Sequence, residues 1–157
     1  MSASTVRQDI DEFWASSRLA VVGVARDPKE FGHRLYEDLR KWGYDAVPVN
    51  PRTDAIGEVR AYHRVQEIEP HVEAALLLTA PSVNEQIIKD CAEAGVKMVW
   101  FYGVGDWSHE NAAAIAYARE HGMTVIPGYC PYMFLSRAPF FHKMHGFVAR
   151  WTGQCPR

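Results

Sequence analysis

Cysteine is scarce in this chain. Cys91, Cys130 and Cys155 are the only three in 157 residues, an odd number with no close spacing. That excludes a disulfide framework and a zinc site built on paired cysteines, and it suits a reducing cytosol. Long apolar runs are also missing, and none approaches the ~20 residues that span a bilayer. The first residues, MSASTVRQDIDEFW, carry acids where a signal peptide would be apolar. Charge of one sign is not in excess: 17 Lys and Arg face 19 Asp and Glu, for a net charge of -2. No global basic field exists to collect nucleic acid or an anionic membrane, so any anion binding must be local. Internal repeats and low-complexity tracts are absent.

Several catalytic signatures are absent as well. There is no G-x-x-x-x-G-K-[ST], which removes P-loop chemistry. There is no nucleophile elbow with a Ser-His-Asp order, and no pair of carboxylates in a cleft-like context. His142 and His145 stand three apart, but no third ligand follows at metal-site spacing. His109, at the start of a predicted helix, is poorly placed for a charged imidazole.

What the chain does have is a regular alternation of short apolar runs and helical stripes. Thr5 to Ser16 carries Val6, Ile10, Phe13 and Trp14 on one stripe. Arg18 to Gly23 is an apolar run too short for a helix and suited to a strand buried on both faces. A helix from about Gly32 to Trp42 follows, closed by Gly43. Ala46 to Val49, Glu73 to Leu78, Lys97 to Phe101 and Thr124 to Ile126 read as four further strands, with Ala61 and Tyr62 as a short edge piece. Between them, Ser82 with Glu85 has the form of a capping box opening a helix to about Ala94. Ser108 opens another, closed by Gly122.

This pattern predicts one α/β domain over residues 1–157: a Rossmann-like, doubly wound, mostly parallel five-stranded sheet with helices on both faces. The expected strand order is 3-2-1-4-5, counting the five long strands. In such a fold the ligand lies beyond the C-terminal strand ends, where the strand order reverses. Those ends fall at Gly23 to Gly32, Asn50 to Arg52, Thr79 to Pro81, Tyr102 to Trp107 and Pro127 to Cys130.

The first of these, VVGVARDPKEFG, carries the chemistry. Gly23 permits a tight turn and a close ligand approach. Gly32 follows nine residues later near a helix start, where backbone N–H groups and the helix dipole favour an anion. Arg26, Lys29 and Arg34 supply cations. Ala25 occupies the middle position of G-x-G-x-x-G, so this is not the dinucleotide fingerprint. The second strand ends in Asn50-Pro51-Arg52 and not in the acid that holds an NAD ribose. The other reading of the two glycines is close packing of strand on helix.

VVGVARDP, GYDAVPVNP, TAPSVNEQI, KMVWFYGV and PGYC occur in that order from Arg18 to Cys130. As an ensemble they resemble the small CoA-binding domain family, whose members are similar to the Rossmann-like CoA-binding domain of the succinyl-CoA synthetase α subunit. The resemblance implies that Val24, Ala25, Arg26 and Arg34 line a phosphate site, and that Asn50, Pro51 and Thr79 to Pro81 lie near the adenosine end. Two positions depart from the family pattern: Ala25 replaces its usual serine, and Tyr129 its usual arginine. Coenzyme A carries a ribose 3′-phosphate that Arg52 or Arg34 would serve. NADP, with a 2′-phosphate, is the alternative ligand by the same logic.

The expected function is therefore a small cytosolic coenzyme A-binding protein without self-contained ligase activity. The ligase's catalytic histidine belongs to a separate domain that this chain is too short to hold. The alternative is an NADP-binding or acyl-CoA-processing enzyme using Cys130. Cys130 lies at the ligand edge after the fifth strand, as a thiol that needs a depressed pKa to react or as a small residue beside the site. His33 reads as a solvated helix residue. Beyond Pro131, Phe140, Phe141, Met144, Phe147, Val148 and Trp151 make a near-helical apolar stripe, with Pro139 at its start. It would form a helical extension over about 131–157, packed back on the domain or serving as the contact of a homodimer.

Overall fold

The structure, a computed structural model, describes residues 5–16, 18–103 and 107–135. Seven strands and five α-helices occur among them. β1 (Arg18–Val22), β2 (Asp45–Val49), β5 (Ala74–Leu77), β6 (Met98–Phe101) and β7 (Thr124–Pro127) form one parallel sheet in the order β2-β1-β5-β6-β7. β3 (Ala55–Ile56) and β4 (Val59–Arg60) make a separate antiparallel pair. The helices are α1 (Val6–Ala15), α2 (Phe31–Lys41), α3 (Pro81–Glu93), α4 (Trp107–Glu110) and α5 (Ala112–Glu120).

Successive residues of β1 feed opposite cores. Leu19 and Val21 pack with α1 and α2 through Ile10, Phe13, Leu35 and Leu39. Ala20 and Val22 pack with α3 and α5 through Ile88, Cys91, Ala114 and Ala118. The period of two along a strand buried on both faces thus produces a three-layer, doubly wound domain.

The strand order corrects one expectation. Counted over the five long strands it is 2-1-3-4-5, not 3-2-1-4-5. The reason lies on the outer edge of β2. Pro48 lacks an N–H, and its carbonyl accepts from Tyr62 N–H at 3.0 Å, so the proline's missing donor faces outward. A proline within a strand marks an edge. The predicted piece at Ala61 and Tyr62 occupies that edge, with Val49 and Tyr62 paired in parallel. β5 is buried along its whole length and takes a central place beside β1.

Two helix starts also differ from expectation. α3 begins with Pro81 after Ala80, not with Ser82 as its cap. Proline at the first helical position needs no donor and imposes an extended conformation on the residue before it. The helix expected from Ser108 starts at Trp107 and breaks at Asn111. There the buried Asn111 side chain accepts a hydrogen bond from Asn84 at 2.7 Å. α1 opens with a capping box between Thr5 and Gln8. The aromatic stripe from Phe140 to Trp151 lies outside the described residues.

Candidate functional site

From β1 the chain crosses through α2 to β2 on one side; from β5 it crosses through α3 to β6 on the other. The order therefore reverses between β1 and β5, and in open α/β sheets such a reversal makes the ligand crevice beyond the C-terminal strand ends. Gly23 follows β1 and Leu78-Thr79 follow β5, so these residues flank it.

Gly23 has φ +94°, and its N–H donates to Val49 O at 2.9 Å. A Cβ there would stand 2.9 Å from Thr79 Cγ2 and 3.2 Å from Leu78 O. Gly32 brings the first turn of α2 against the same turn, where a Cβ would lie 3.1 Å from Gly23 O. Both glycines thus pack strand on helix closely, and Gly23 also supplies the turn.

The loop after Gly23 is held from two sides. Asn50 Nδ2 donates to Val24 O at 2.8 Å, and Asn50 Oδ1 accepts from Arg52 N–H at 2.8 Å. His33 Nδ1 donates to Ala25 O at 2.7 Å, a carbonyl being only an acceptor. His33 Nε2 lies 3.2 Å from Glu37 Oε1. His33 is 4% exposed, so the expectation of a solvated residue is corrected: α2 turns the ring inward onto the loop. Val24 is 0% exposed and faces the core, so only its backbone is available to a ligand. Asn50 spends its amide on this loop and on its own turn, and Pro51 beside it is exposed.

Arg26, Lys29, Arg34 and Arg52 are exposed around this loop, and none forms an ion pair among the described residues. α2 and α3 both begin without a side-chain cap, leaving N-terminal N–H groups at the crevice edge. Thr79 does not offer its hydroxyl there. It donates to Asn84 Oδ1, and Asn84 Nδ2 passes a second bond to Asn111. Asn84 and Asn111 are buried, so this chain anchors the β5 end to α3 and to the break between α4 and α5. Pro81 is half-buried at the first turn of α3.

On the far side, Phe31 stacks on Tyr102 with centroids 4.8 Å apart, and Tyr132 meets Phe31 edge-on. Cys130 sits half-buried in this aromatic group. Burial pushes its thiol up, opposed by the backbone N–H groups of Tyr132 and Met133. An acyl-transfer nucleophile needs the opposite shift, so Cys130 reads as a small residue beside the crevice. Burial also raises Tyr102, with Cys130 adding to it. The described residues contain no cluster of three His, Cys, Asp or Glu able to hold a metal. A depression of about 490 Å³, lined by Glu12, Glu73 and Lys97 among others, lies at the opposite end of the sheet and plays no part in the crevice.

A family profile described as a CoA binding domain matches residues 17–136. The chain belongs to this CoA-binding domain family. It is 29% identical over 128 residues to the α subunit of an ADP-forming acetate–CoA ligase (II) of Pyrococcus furiosus, covering 77% of this chain and 28% of that subunit. It spans less than a third of the length of the ligase relatives it matches first. Against an uncharacterized Bacillus subtilis protein, YneT, it is 25% identical over 115 residues, covering 73% of this chain and 82% of YneT. Among solved structures, a hypothetical protein from Pyrococcus horikoshii OT3 superposes with a TM-score of 0.73 at 23% identity, covering 83% of this chain and 94% of that one. A dinucleotide-forming acetyl-coenzyme A synthetase of Ca. Korarchaeum cryptofilum superposes at 0.65 with 25% identity, over 71% of this chain and 26% of that one. The chain is thus a CoA-binding domain homologous to part of a ligase α subunit, with the Rossmann-like fold expected from its alternating pattern. Among the described residues no helix is long and apolar enough to cross a membrane.

Asn84 and Asn111 are residues that motif reading passes over, and His33 is one it places in solvent. His33 stands two residues before Leu35 and three before Tyr36, both on the buried stripe of α2, so a helical-wheel reading could have turned it inward. Asn84 and Asn111 are 27 residues apart, and no local pattern joins them.

Proposed function

We propose that this chain binds coenzyme A at the crevice between β1 and β5, without ligase chemistry of its own. The phosphates lie against the backbone of Gly23 to Arg26 and the uncapped start of α2 near Gly32. Arg26 and Arg34 neutralise them, and Arg52 meets the ribose 3′-phosphate. Asn50, Pro51, Thr79 and Pro81 form walls toward the adenosine, and Cys130 lies beside the thiol end. One observation carries this reading. A glycine turn, an uncapped helix start and four cations without carboxylate partners converge at one strand-order reversal in a chain of the CoA-binding family. Oxygens of a diphosphate suit such a set, because N–H donors and guanidinium groups both strengthen against a full negative charge.

Among the described residues, the two thiols and the histidine at the crevice are not free for ligase chemistry. Cys91 is buried with its thiol pushed up to about 12. The Cys130 thiol is raised as well, and the His33 ring is engaged at both nitrogens. NADP is disfavoured because the side chain at the end of β2, where a ribose would be read, is already spent on two backbone groups. Calorimetric titration of the full chain with CoA, dephospho-CoA and NADP tests the reading. CoA is expected to bind tightest, and no heat with CoA at high micromolar concentration overturns it. We further propose a cytosolic homodimer in which Phe140 to Trp151 form the contact.

A further inference from the structure

The geometry points to Asn50 and His33 as positioning residues that set the polarity of the Val24–Arg26 backbone, turning two N–H groups toward an anion by holding the two preceding carbonyls away from it. The inference rests on the phosphate-binding reading above. It assigns a task to two side chains that touch no phosphate themselves.

In a planar trans peptide the carbonyl of one residue and the N–H of the next point in opposite directions. Asn50 Nδ2 holds Val24 O at 2.8 Å, so the Ala25 N–H points away from Asn50. His33 Nδ1 holds Ala25 O at 2.7 Å, so the Arg26 N–H points away from His33. Neither N–H has an acceptor among the described residues. A loop free to rotate would expose carbonyl oxygens to an incoming anion about as often as N–H groups. Here both carbonyls are tied down before the ligand arrives, so the reorganisation is already made.

The clamps are themselves fixed. The Asn50 amide has one orientation only: its oxygen meets the Arg52 N–H and its nitrogen meets a carbonyl. His33 is held in α2, buried, with Nε2 toward Glu37. One clamp comes from the end of β2 and the other from the first turn of α2. The loop is therefore pinned between two elements that the sheet already orders. Gly23, immediately before it, supplies the turn.

Amide chemical shifts in the 15N-labelled full chain test this, with CoA and, separately, inorganic pyrophosphate as titrants. Ala25 and Arg26 amide protons are expected to move downfield with both. His33→Leu is expected to lose those two shifts and to weaken both ligands by about tenfold, the scale of one hydrogen bond near a charge. His33→Asn, whose amide nitrogen stands where Nδ1 stood, is expected to restore the shifts. A merely structural histidine would lower the melting temperature without changing which amides respond. CoA binding that leaves both amides unmoved overturns the inference and leaves the CoA reading standing. Pyrophosphate shifting both amides while CoA does not bind overturns the CoA reading and leaves the clamp. Binding of neither overturns both.

Discussion

Gly32 lies against the carbonyl of Gly23, so closely that a Cβ on Gly32 would stand 3.1 Å from that oxygen. The two glycines bring the first turn of α2 onto the end of β1, at the place where the strand order reverses.

Gly23→Val is expected to abolish CoA binding and to destabilise the domain by roughly 1–3 kcal/mol. The residue holds φ +94°, and its new Cβ would meet Thr79 Cγ2 at 2.9 Å with backbone at 3.2 Å behind it. Chemical denaturation together with CoA titration separates the two losses. A variant as stable as the native chain and still binding CoA would remove Gly23 from the site.

Arg34→Ala and Arg26→Ala are expected to weaken CoA by on the order of 1.5–3 kcal/mol each where they bond a phosphate. Both are exposed without ion-pair partners among the described residues, so melting temperatures should not move. With Arg52 on the 3′-phosphate, the losses at Arg26 and Arg34 should persist with dephospho-CoA, and calorimetry with the two ligands checks it; a loss that vanishes with dephospho-CoA would move that arginine to the 3′-phosphate.

Asn84→Ala is expected to cost about 1–3 kcal/mol of stability. It strands the Thr79 hydroxyl and takes one donor from the buried Asn111 oxygen. Urea unfolding measures this. CoA affinity should fall less than in Gly23→Val, because Asn84 supports the crevice wall without reaching the loop.

Alkaline pH should destabilise the fold through Cys91. Burial raises its thiol from 9.0 to about 12, with Asp90 adding to the shift. The unfolded thiol therefore loses its proton first. The contribution is full below pH 9 and is lost as pH rises from about 9 to 12, with a slope near 1.4 kcal/mol per pH unit. Cys91→Ala should flatten that part of the stability–pH curve relative to the native chain. An unchanged slope would assign the effect to the raised Tyr36 and Tyr132 hydroxyls.

Sedimentation of the full chain at micromolar concentration should give a dimer, and removal of Pro139 to Arg157 a monomer with CoA affinity nearly kept. A full-length monomer defeats the dimer. Kept oligomeric state with lost affinity would make the segment part of the ligand site.

Most of the fold was legible because each long element carries its own signal. β1 is an apolar run ended by a glycine, α2 a stripe ended by Gly43, and their alternation demands parallel strands with crossovers. The ends of those strands then put Gly23, Asn50, Arg52 and Thr79 at one edge of a sheet by sequence alone. The strand order was less legible, since alternation does not say on which side of β1 the third long strand lies. Pro48 did carry that information as an edge mark. The start of α3 differs from the expectation because Ser82 and Glu85 have the spacing of a capping box, while Pro81 one residue earlier needs no cap.

By itself, then, the sequence determined the layers and the glycine turn, because periodicity and chain-local backbone freedom are properties of neighbouring residues, and its ordered motifs carried the family resemblance. The tertiary structure alone decided that His33 holds Ala25, that Asn50 holds Val24, and that burial raises the Cys130 thiol. Those outcomes depend on burial and on partners brought from other elements. A polar side chain takes whichever acceptor the packed fold leaves beside it, and a thiol's acidity follows the water that packing removes.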